Sequence, residues 1–165
     1  MKKFLLDTNV FIQAHRKYYP FDVVPHFWIK LVELFDKGQI FSIDKVKNEI
    51  CSRTNPDSLS SWCLNNLSKD FFLDSSSCID MYAGIMRWLD LNQHYNDTAK
   101  QMFAKTDEAD PWLVAYAINF DFILVTEETS EPKRKGKVKI PDVCIHFGVR
   151  CITMIEMFRE LKETF

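Results

Sequence analysis

Short apolar runs alternate along the chain with longer segments in which apolar residues recur every three or four positions. Five of these runs are bounded by polar residues and are too short for helices, which predicts buried strands. They are Phe4–Leu6, Ile40–Ile43, Phe71–Leu73, Phe122–Val125 and Arg150–Ile152. Strands that alternate with helices favour a mainly parallel sheet, because parallel neighbours need crossover connections. The predicted fold class is α/β, a three-layer α/β/α sandwich.

Local signals mark the starts of three helices. Asn55-Pro56 and Asp110-Pro111 each place a capping side chain before a proline at the first helical position. Thr153-Met-Ile-Glu156 has the pattern of a capping box, in which the threonine and glutamate side chains each bond a backbone N–H group of the first turn.

The composition is that of one folded domain. The 165 residues include only four glycines and no linker rich in Ser, Gly or Pro, so we expect a single domain spanning residues 1–165. Hydrophobic residues make up 47% of the chain, which excludes a disordered chain. Asp7 interrupts the first apolar stretch and no later run is long enough to span a bilayer, so we expect a cytoplasmic protein without a membrane segment.

The cysteines are scattered and form no C-x-x-C pair. This pattern disfavours both a disulfide framework and a structural zinc site, and it predicts buried thiols. The residues concerned are Cys51, Cys63, Cys78, Cys144 and Cys151.

Acidic residues follow two of the predicted strands. Asp7 comes directly after the first strand, and Glu127 and Glu128 follow the strand that ends at Val125, beyond Thr126. Ligands bind beyond the carboxyl ends of the strands in such sheets, so these positions are candidates for a site. Each has a simpler interpretation, because Asp7 could cap the next helix and the glutamates could be solvated loop charges.

Two further acids lie on predicted helices. Asp110 begins a helix with a small and apolar face, but it could act only as a helix cap. Glu49 lies next to the apolar face formed by Val46 and Ile50, but a surface glutamate would occupy the same position. Each acid alone is ambiguous, but their order along the chain is informative. An Asp after a strand is followed by a Glu on a helix, an Asp at the start of a helix and an acid after another strand.

The residues around these acids resemble the successive motifs of PIN domains, from Lys3 to about Leu161. The matching segments are Phe4–Val10, Lys47–Ile50, Ala109–Ala117 and Leu124–Glu128. Within that superfamily the chain looks closest to a group of uncharacterised bacterial and archaeal PIN-like proteins, which also show the Tyr18–Asp22 and Lys139–Cys144 segments.

The resemblance implies a PIN-like fold and a metal-dependent endoribonuclease that hydrolyses RNA phosphodiester bonds. It implies that the catalytic metal ligands are Asp7, Glu49, Asp110 and Glu128. Many PIN domains are toxins of type II toxin–antitoxin pairs and homodimers are common, so an antitoxin protein and a second copy of the chain are the implied partners.

One position departs from the family's pattern. PIN domains usually have Asp two residues after the threonine at the strand end, and this chain has Glu128 there. Glu127 therefore competes for the place of the fourth ligand. Further acids that we retain as second choices are Asp107, Glu108 and Asp142.

The chemistry of the acids independently favours Mg²⁺ or Mn²⁺, because carboxylate oxygens without His or Cys beside them suit hard divalent cations. Converging carboxylates repel one another, and a bound cation relieves that repulsion. Thr8, Asn9 and Thr126 could orient ligands or water through hydrogen bonds. Thr8 and Asn9 could instead simply start a helix.

The formal net charge of −2 gives no general attraction to nucleic acid, so RNA binding must rest on local clusters. A basic run soon after the fourth acid could bind phosphates or could be a solvated loop, and its composition predicts flexibility. It extends from Lys133 to Lys139, and its candidate phosphate-binding residues are Lys133, Arg134, Lys135 and Lys137. Arg16–Tyr19 could stack an unpaired base, although we favour packing of Tyr18–Phe21 into the core or a subunit contact.

Two functional hypotheses compete. The first is an RNA-cleaving nuclease, and the second is a non-catalytic PIN-like module that binds RNA or protein with an incomplete metal site. Asp7, Glu49 and Asp110 favour catalysis, whereas the glutamate at position 128 favours the second hypothesis.

Overall fold

The sheet contains five strands, all parallel in the part of the chain described by a computed structural model, residues 1–51 and 57–165. The strands are Phe4–Leu6 (β1), Ile40–Ile43 (β2), Phe72–Leu73 (β3), Ile123–Val125 (β4) and Cys151–Ile152 (β5). Their order across the sheet is β3-β2-β1-β4-β5. Every predicted run contains a strand, and in three of them the strand starts one residue later than predicted.

The described residues form nine α-helices. They are Thr8–Gln13 (α1), Pro25–Asp36 (α2), Asp44–Cys51 (α3), Ser58–Asn66 (α4), Ile79–Leu91 (α5), Asp97–Phe103 (α6), Asp110–Phe120 (α7), Ile140–Phe147 (α8) and Met154–Leu161 (α9). The capping box predicted at Thr153 and Glu156 is confirmed. The start predicted at Asn55-Pro56 lies outside the described residues. Within the described ranges, no helix is both long enough and apolar enough to cross a membrane.

Helices cover both faces of the sheet. Phe4, Leu5 and Leu6 in β1 point alternately to the two faces, and all three are fully buried. Helix α7 contacts β4 and packs against α5 and α8, whereas α2 contacts β2. The predicted three-layer α/β/α sandwich is confirmed.

The register of the central strands determines where the first and last acids lie. Leu6 of β1 pairs with Val125 of β4, so the two strands end at the same level. The Asp7 N–H donates a 3.0 Å hydrogen bond to the Val125 carbonyl, which continues the ladder by one residue. Asp7 and Thr126 therefore leave the sheet side by side at its carboxyl edge, where parallel sheets bind ligands.

The five cysteines are free thiols. Cys63, Cys78 and Cys144 are buried as predicted, and burial raises the pKa of the Cys63 thiol to about 12. Cys51 and Cys151 are only half-buried, so the prediction of burial is wrong for these two.

Candidate metal centre

A cavity of about 420 Å³ opens at the carboxyl edge of the sheet. It is lined by five acids, Asp7, Glu49, Glu108, Asp110 and Glu128. The lining also includes the apolar residues Ile12, Ala99, Met102 and Phe103. All four acids of the predicted site thus reach one cavity from four separate places in the sequence.

Asp7 is the most deeply buried of these acids. Its side chain is 1% exposed, and its Oδ2 atom accepts a 2.7 Å hydrogen bond from the Thr126 hydroxyl. Asp7 occupies the cap position of α1, but its side chain makes no capping hydrogen bond, so the interpretation of Asp7 as a simple helix cap is wrong.

Glu49 links three segments around the cavity. Its Oε2 atom accepts a hydrogen bond from the Thr8 hydroxyl, and its Oε1 atom accepts a 2.9 Å hydrogen bond from the Ala109 N–H. The alternative of a solvated surface glutamate is therefore wrong. The bond to Ala109 attaches α3 to the residue just before α7, which keeps Glu49 close to Asp110.

Asp110 is the first residue of α7, and Pro111 follows it in the first turn. The cap position belongs to Ala109, and no side chain caps this helix. The prediction that Asp110 caps the helix is thus wrong, because its carboxylate turns into the cavity instead of back to the backbone.

Glu128 and Glu127 point to different places. Glu127 accepts a 2.9 Å hydrogen bond from the Met154 N–H at the start of α9. Glu128 lines the cavity, and its Oε2 atom accepts a 2.9 Å hydrogen bond from the Ile140 N–H at the start of α8. Between these two neighbours, the geometry favours Glu128 as the acid of the site.

Two lysines lie against the Glu128 carboxylate. Its Oε1 atom is 3.3 Å from Lys137 Nζ and 3.7 Å from Lys139 Nζ, and the glutamate side chain is only 5% exposed. Lys139 is also 3.4 Å from Glu131. Glu128 is therefore charge-compensated, unlike Asp7 and Asp110.

The three polar residues expected to support the site behave differently. The Thr126 hydroxyl donates to Asp7 and accepts from the Glu128 N–H at 3.2 Å, so it connects two of the acids. Thr8 starts α1 and its hydroxyl also donates to Glu49. Asn9 lines the cavity, but within the described ranges its side chain makes no hydrogen bond to a carboxylate.

Burial and mutual repulsion raise the pKa values of the central acids. Burial is the main cause for Asp7, and the charges of Glu128 and Glu49 add to it, so its pKa rises to about 7 although the Thr126 hydrogen bond opposes the shift. The pKa of Asp110 lies well above its ordinary value, because of burial first and then the charges of Asp7 and Glu108. Ionising both of these buried carboxyl groups is therefore unfavourable, and the Lys137 and Lys139 ammonium groups lie against Glu128 rather than beside Asp7.

The acids do not yet form a coordination shell. In residues 1–51 and 57–165, no group of three His, Cys, Asp or Glu side chains is close enough together to hold a metal ion. The physical reason is that Glu49 and Glu128 direct their oxygens to backbone N–H groups and to Thr8, Lys137 and Lys139. A cation would therefore have to draw the glutamates from these partners.

The basic run divides into an outer and an inner part. Lys133, Arg134 and Lys135 are exposed, and Arg134 pairs with Glu131 at 3.0 Å. The Lys135 carbonyl accepts a 3.0 Å hydrogen bond from the Asn96 N–H, which ties the loop to the residues before α6. The flexibility of this loop stays a prediction. Lys137 alone of the four predicted cations lines the acidic cavity.

The structure adds residues that the sequence did not place in the site. Glu108, retained only as a second choice, lines the cavity, whereas Asp107 is exposed and Asp142 accepts hydrogen bonds from Ser130 and the Glu131 N–H. Lys139 is not one of the four candidate phosphate-binding residues of the basic run, but it contacts Glu128. The sequence pattern that could have predicted this contact is the alternation of lysines around the buried Val138, which places Lys137 and Lys139 on the same side of an extended segment.

Comparison with known families gives one assignment. The chain matches, over residues 4–165, the model of a family described as a domain of unknown function (DUF4411). The protein belongs to this family. No curated protein matches the chain. The family description assigns no activity.

Proposed function

We propose that the protein is a metal-dependent endoribonuclease with a PIN-like site. In this proposal Asp7, Glu49, Asp110 and Glu128 hold one or two Mg²⁺ or Mn²⁺ ions. The observation that carries the proposal is that these four acids, separated by up to 121 positions from Asp7 to Glu128 (128 − 7), line one cavity at the carboxyl edge of the sheet.

The residues fit a hard divalent cation by donor type and by charge. Every candidate ligand is a carboxylate, which suits Mg²⁺ or Mn²⁺ better than zinc. Burial and neighbouring carboxylates raise the pKa values of Asp7 and Asp110, so ionising both carboxyl groups is unfavourable, and a bound cation would offset that cost. When bound, such an ion would activate water and stabilise the charge that develops on the phosphate in the transition state.

The chain's own residues would orient the site and the substrate. Thr126 fixes the Asp7 carboxylate, and Thr8 fixes Glu49. Lys137 at the cavity rim carries a cation 42% exposed to solvent, which is available to a substrate phosphate.

Cleavage of single-stranded RNA by the purified protein tests the proposal. We expect cleavage with Mg²⁺ or Mn²⁺, and none with a chelator. Asp110→Asn should abolish it, because the charge is lost from a side chain that caps no helix. Asp107→Asn is the matched control, since Asp107 is an exposed acid of the same segment. Full activity of Asp110→Asn, or equal loss in both variants, would contradict the proposed site.

A second candidate function is a non-catalytic PIN-like module that binds RNA or protein. The observation that favours it is the pairing of Glu128 with Lys137 and Lys139, which already compensates the fourth acid. This candidate predicts RNA binding without cleavage in either metal. It also predicts that Asp110→Asn binds RNA at least as well as the wild type.

The proposal extends to a cellular role. We place the activity in the cytoplasm, as the toxin of a type II toxin–antitoxin pair that acts as a homodimer and is inhibited by an antitoxin protein. The support is the resemblance to PIN domains, together with an apolar groove lined by Phe21, Trp28 and Trp62 that would suit a protein partner. Expression of the wild type, but not of Asp7→Asn, should arrest growth, and coexpression of a small neighbouring reading frame should restore it.

A further inference from the structure

A second cavity, also of about 420 Å³, lies directly beside the acidic one. Glu128 lines both cavities, so they share one wall. The second cavity lies at the carboxyl ends of β4 and β5, where its lining includes Thr126 and Thr153. A polymer bound in the acidic cavity would have this second cavity as its neighbour, on the other side of Glu128.

An exposed aromatic ring borders this second cavity. Tyr18 lines it and is 45% exposed, whereas its neighbour Tyr19 stacks on Phe27 with 4.4 Å between ring centroids. The aromatic segment therefore divides: Tyr19 packs into the core and Tyr18 remains at the surface. The Lys17 ammonium lies 5.1 Å from the centroid of the Tyr18 ring, so a positive charge accompanies the exposed ring.

The remaining lining combines polar side chains that can accept hydrogen bonds with the apolar residues Pro141, Cys151 and Ile152. It includes the amide of Gln13, the hydroxyl of Thr129, and the carboxylates of Glu127 and Glu156. Carboxylates repel phosphate but accept hydrogen bonds from the amino groups of nucleobases. The cavity therefore suits a base and not a second phosphate.

We propose that this second cavity binds an unpaired nucleobase of single-stranded RNA next to the scissile phosphate, with Tyr18 as the stacking surface. The proposal rests on the proposed ribonuclease function for its substrate class. Adenine, cytosine and guanine carry amino donors, whereas uracil donates only through its ring N3–H, so the acidic lining favours the three bases with amino groups. Tyr18 is a binding residue, and it takes no part in the chemical step.

Fluorescence anisotropy with short adenylate, cytidylate and uridylate homopolymers tests the proposal. The Asp110→Asn background prevents cleavage and leaves the second cavity intact. Tyr18→Ala should weaken binding of the adenylate and cytidylate chains by about tenfold, in the range of one lost base–aromatic contact. Tyr18→Phe should restore it, because the ring is kept. Phe120→Ala, which removes another exposed ring from the end of α7, is the control and should change nothing.

A second variant tests the base preference. Glu156→Gln keeps the capping box of α9, since glutamine also satisfies it, but removes the charge from the cavity. The difference in affinity between cytidylate and uridylate chains should shrink. Equal binding of all three homopolymers by the wild-type cavity would overturn the proposed preference.

The outcomes separate this proposal from the proposed function. If the wild type cleaves RNA but Tyr18→Ala changes neither affinity nor base preference, the nucleobase site is wrong and the nuclease stands. If RNA binding depends on Tyr18 but no metal supports cleavage, the nucleobase site stands and the nuclease is wrong. Absence of RNA binding by the parent protein would overturn the nucleobase site.

Discussion

The Thr126 hydroxyl donates a 2.7 Å hydrogen bond to the Asp7 carboxylate and joins the ends of β4 and β1. The same oxygen accepts from the Glu128 N–H, so one side chain connects the first and the last acid of the site. The parallel register of Leu6 and Val125 makes this contact possible, because both strands end at the same level. This hydrogen bond fixes the orientation of the buried Asp7 carboxylate.

Thr126→Val should weaken Mn²⁺ binding by roughly 10-fold to 100-fold, the usual cost of losing a group that orients a metal ligand. The variant keeps the shape of the side chain and removes only the hydroxyl. Calorimetric titration of Mn²⁺ measures the affinity. Thr98→Val, at an exposed position of α6, is the control and should bind like the wild type. Equal affinities in the two variants would show that Thr126 has no role in orienting Asp7.

Glu128→Gln should lower Mn²⁺ affinity by about tenfold or more, whereas Glu127→Gln should have little effect. The two variants are matched in their helix contact, because each glutamate accepts one N–H at the start of a helix and glutamine can still accept it, although Glu128→Gln also removes the ion pairs with Lys137 and Lys139. They differ in position, since Glu128 lines the acidic cavity and Glu127 does not. Near-native affinity in both would leave three carboxylates in the site and favour the non-catalytic module.

The metal-free protein should lose stability as the pH rises from about 4 to 7. The pKa of Asp7 is raised from 3.8 to about 7, so in this range the folded state binds more protons than the unfolded state. The extra proton stabilises the folded state, and this contribution is lost as the proton dissociates with rising pH. Thermal unfolding with a chelator should show a melting temperature roughly 5 °C lower at pH 8 than at pH 5.5, a shift that Asp7→Asn should reduce.

The same titration predicts the pH dependence of metal binding. A carboxyl group must lose its proton before it can hold a cation, so Mn²⁺ affinity should increase with pH through the range in which Asp7 loses its proton, up to about 7. Added Mn²⁺ should therefore raise the melting temperature more at pH 8 than at pH 5.5. A constant effect of Mn²⁺ across this range would mean that it binds away from Asp7.

Much of the fold could be predicted from the sequence, because strands buried on both faces appear as short continuous apolar runs. Asp7 could be placed at the edge of the sheet for the same reason, since it directly follows such a run. Which residue caps α7 was harder to predict. Asp110-Pro111 has the local pattern of a capped helix, yet the structure places the cap at Ala109 and turns Asp110 toward the other acids.

The contacts of Glu128 could not be predicted, because they depend on how the segment from Thr126 to Lys139 folds back on itself. Local sequence identifies the lysines as basic but not as neighbours of a glutamate. Glu108 was uncertain for a similar reason: it is separated from Asp110 by one buried alanine, and only the packing of α7 shows that both carboxylates reach the cavity.

Neutralising Lys133, Arg134 and Lys135 together should flatten the salt dependence of RNA binding. Arg134 is already paired with Glu131, so two cations are free for phosphates, and each lost contact reduces the slope by about 0.7. The slope of log affinity against log salt should thus fall by about 1.4. Replacing Lys2 and Lys3 by Gln, at the opposite edge of the sheet, is the control. An unchanged slope in the triple variant would exclude this loop from the RNA interface.

The most direct test of the site is an anomalous difference map from a crystal soaked in Mn²⁺. We expect a peak in the acidic cavity, within coordination distance of Asp7 and Asp110, with Glu49 turned toward it from the Ala109 N–H. No such peak should appear in Asp7→Asn crystals soaked in the same way. A wild-type map without a peak between Asp7 and Asp110, at a Mn²⁺ concentration that supports RNA cleavage, would contradict the proposed metal centre.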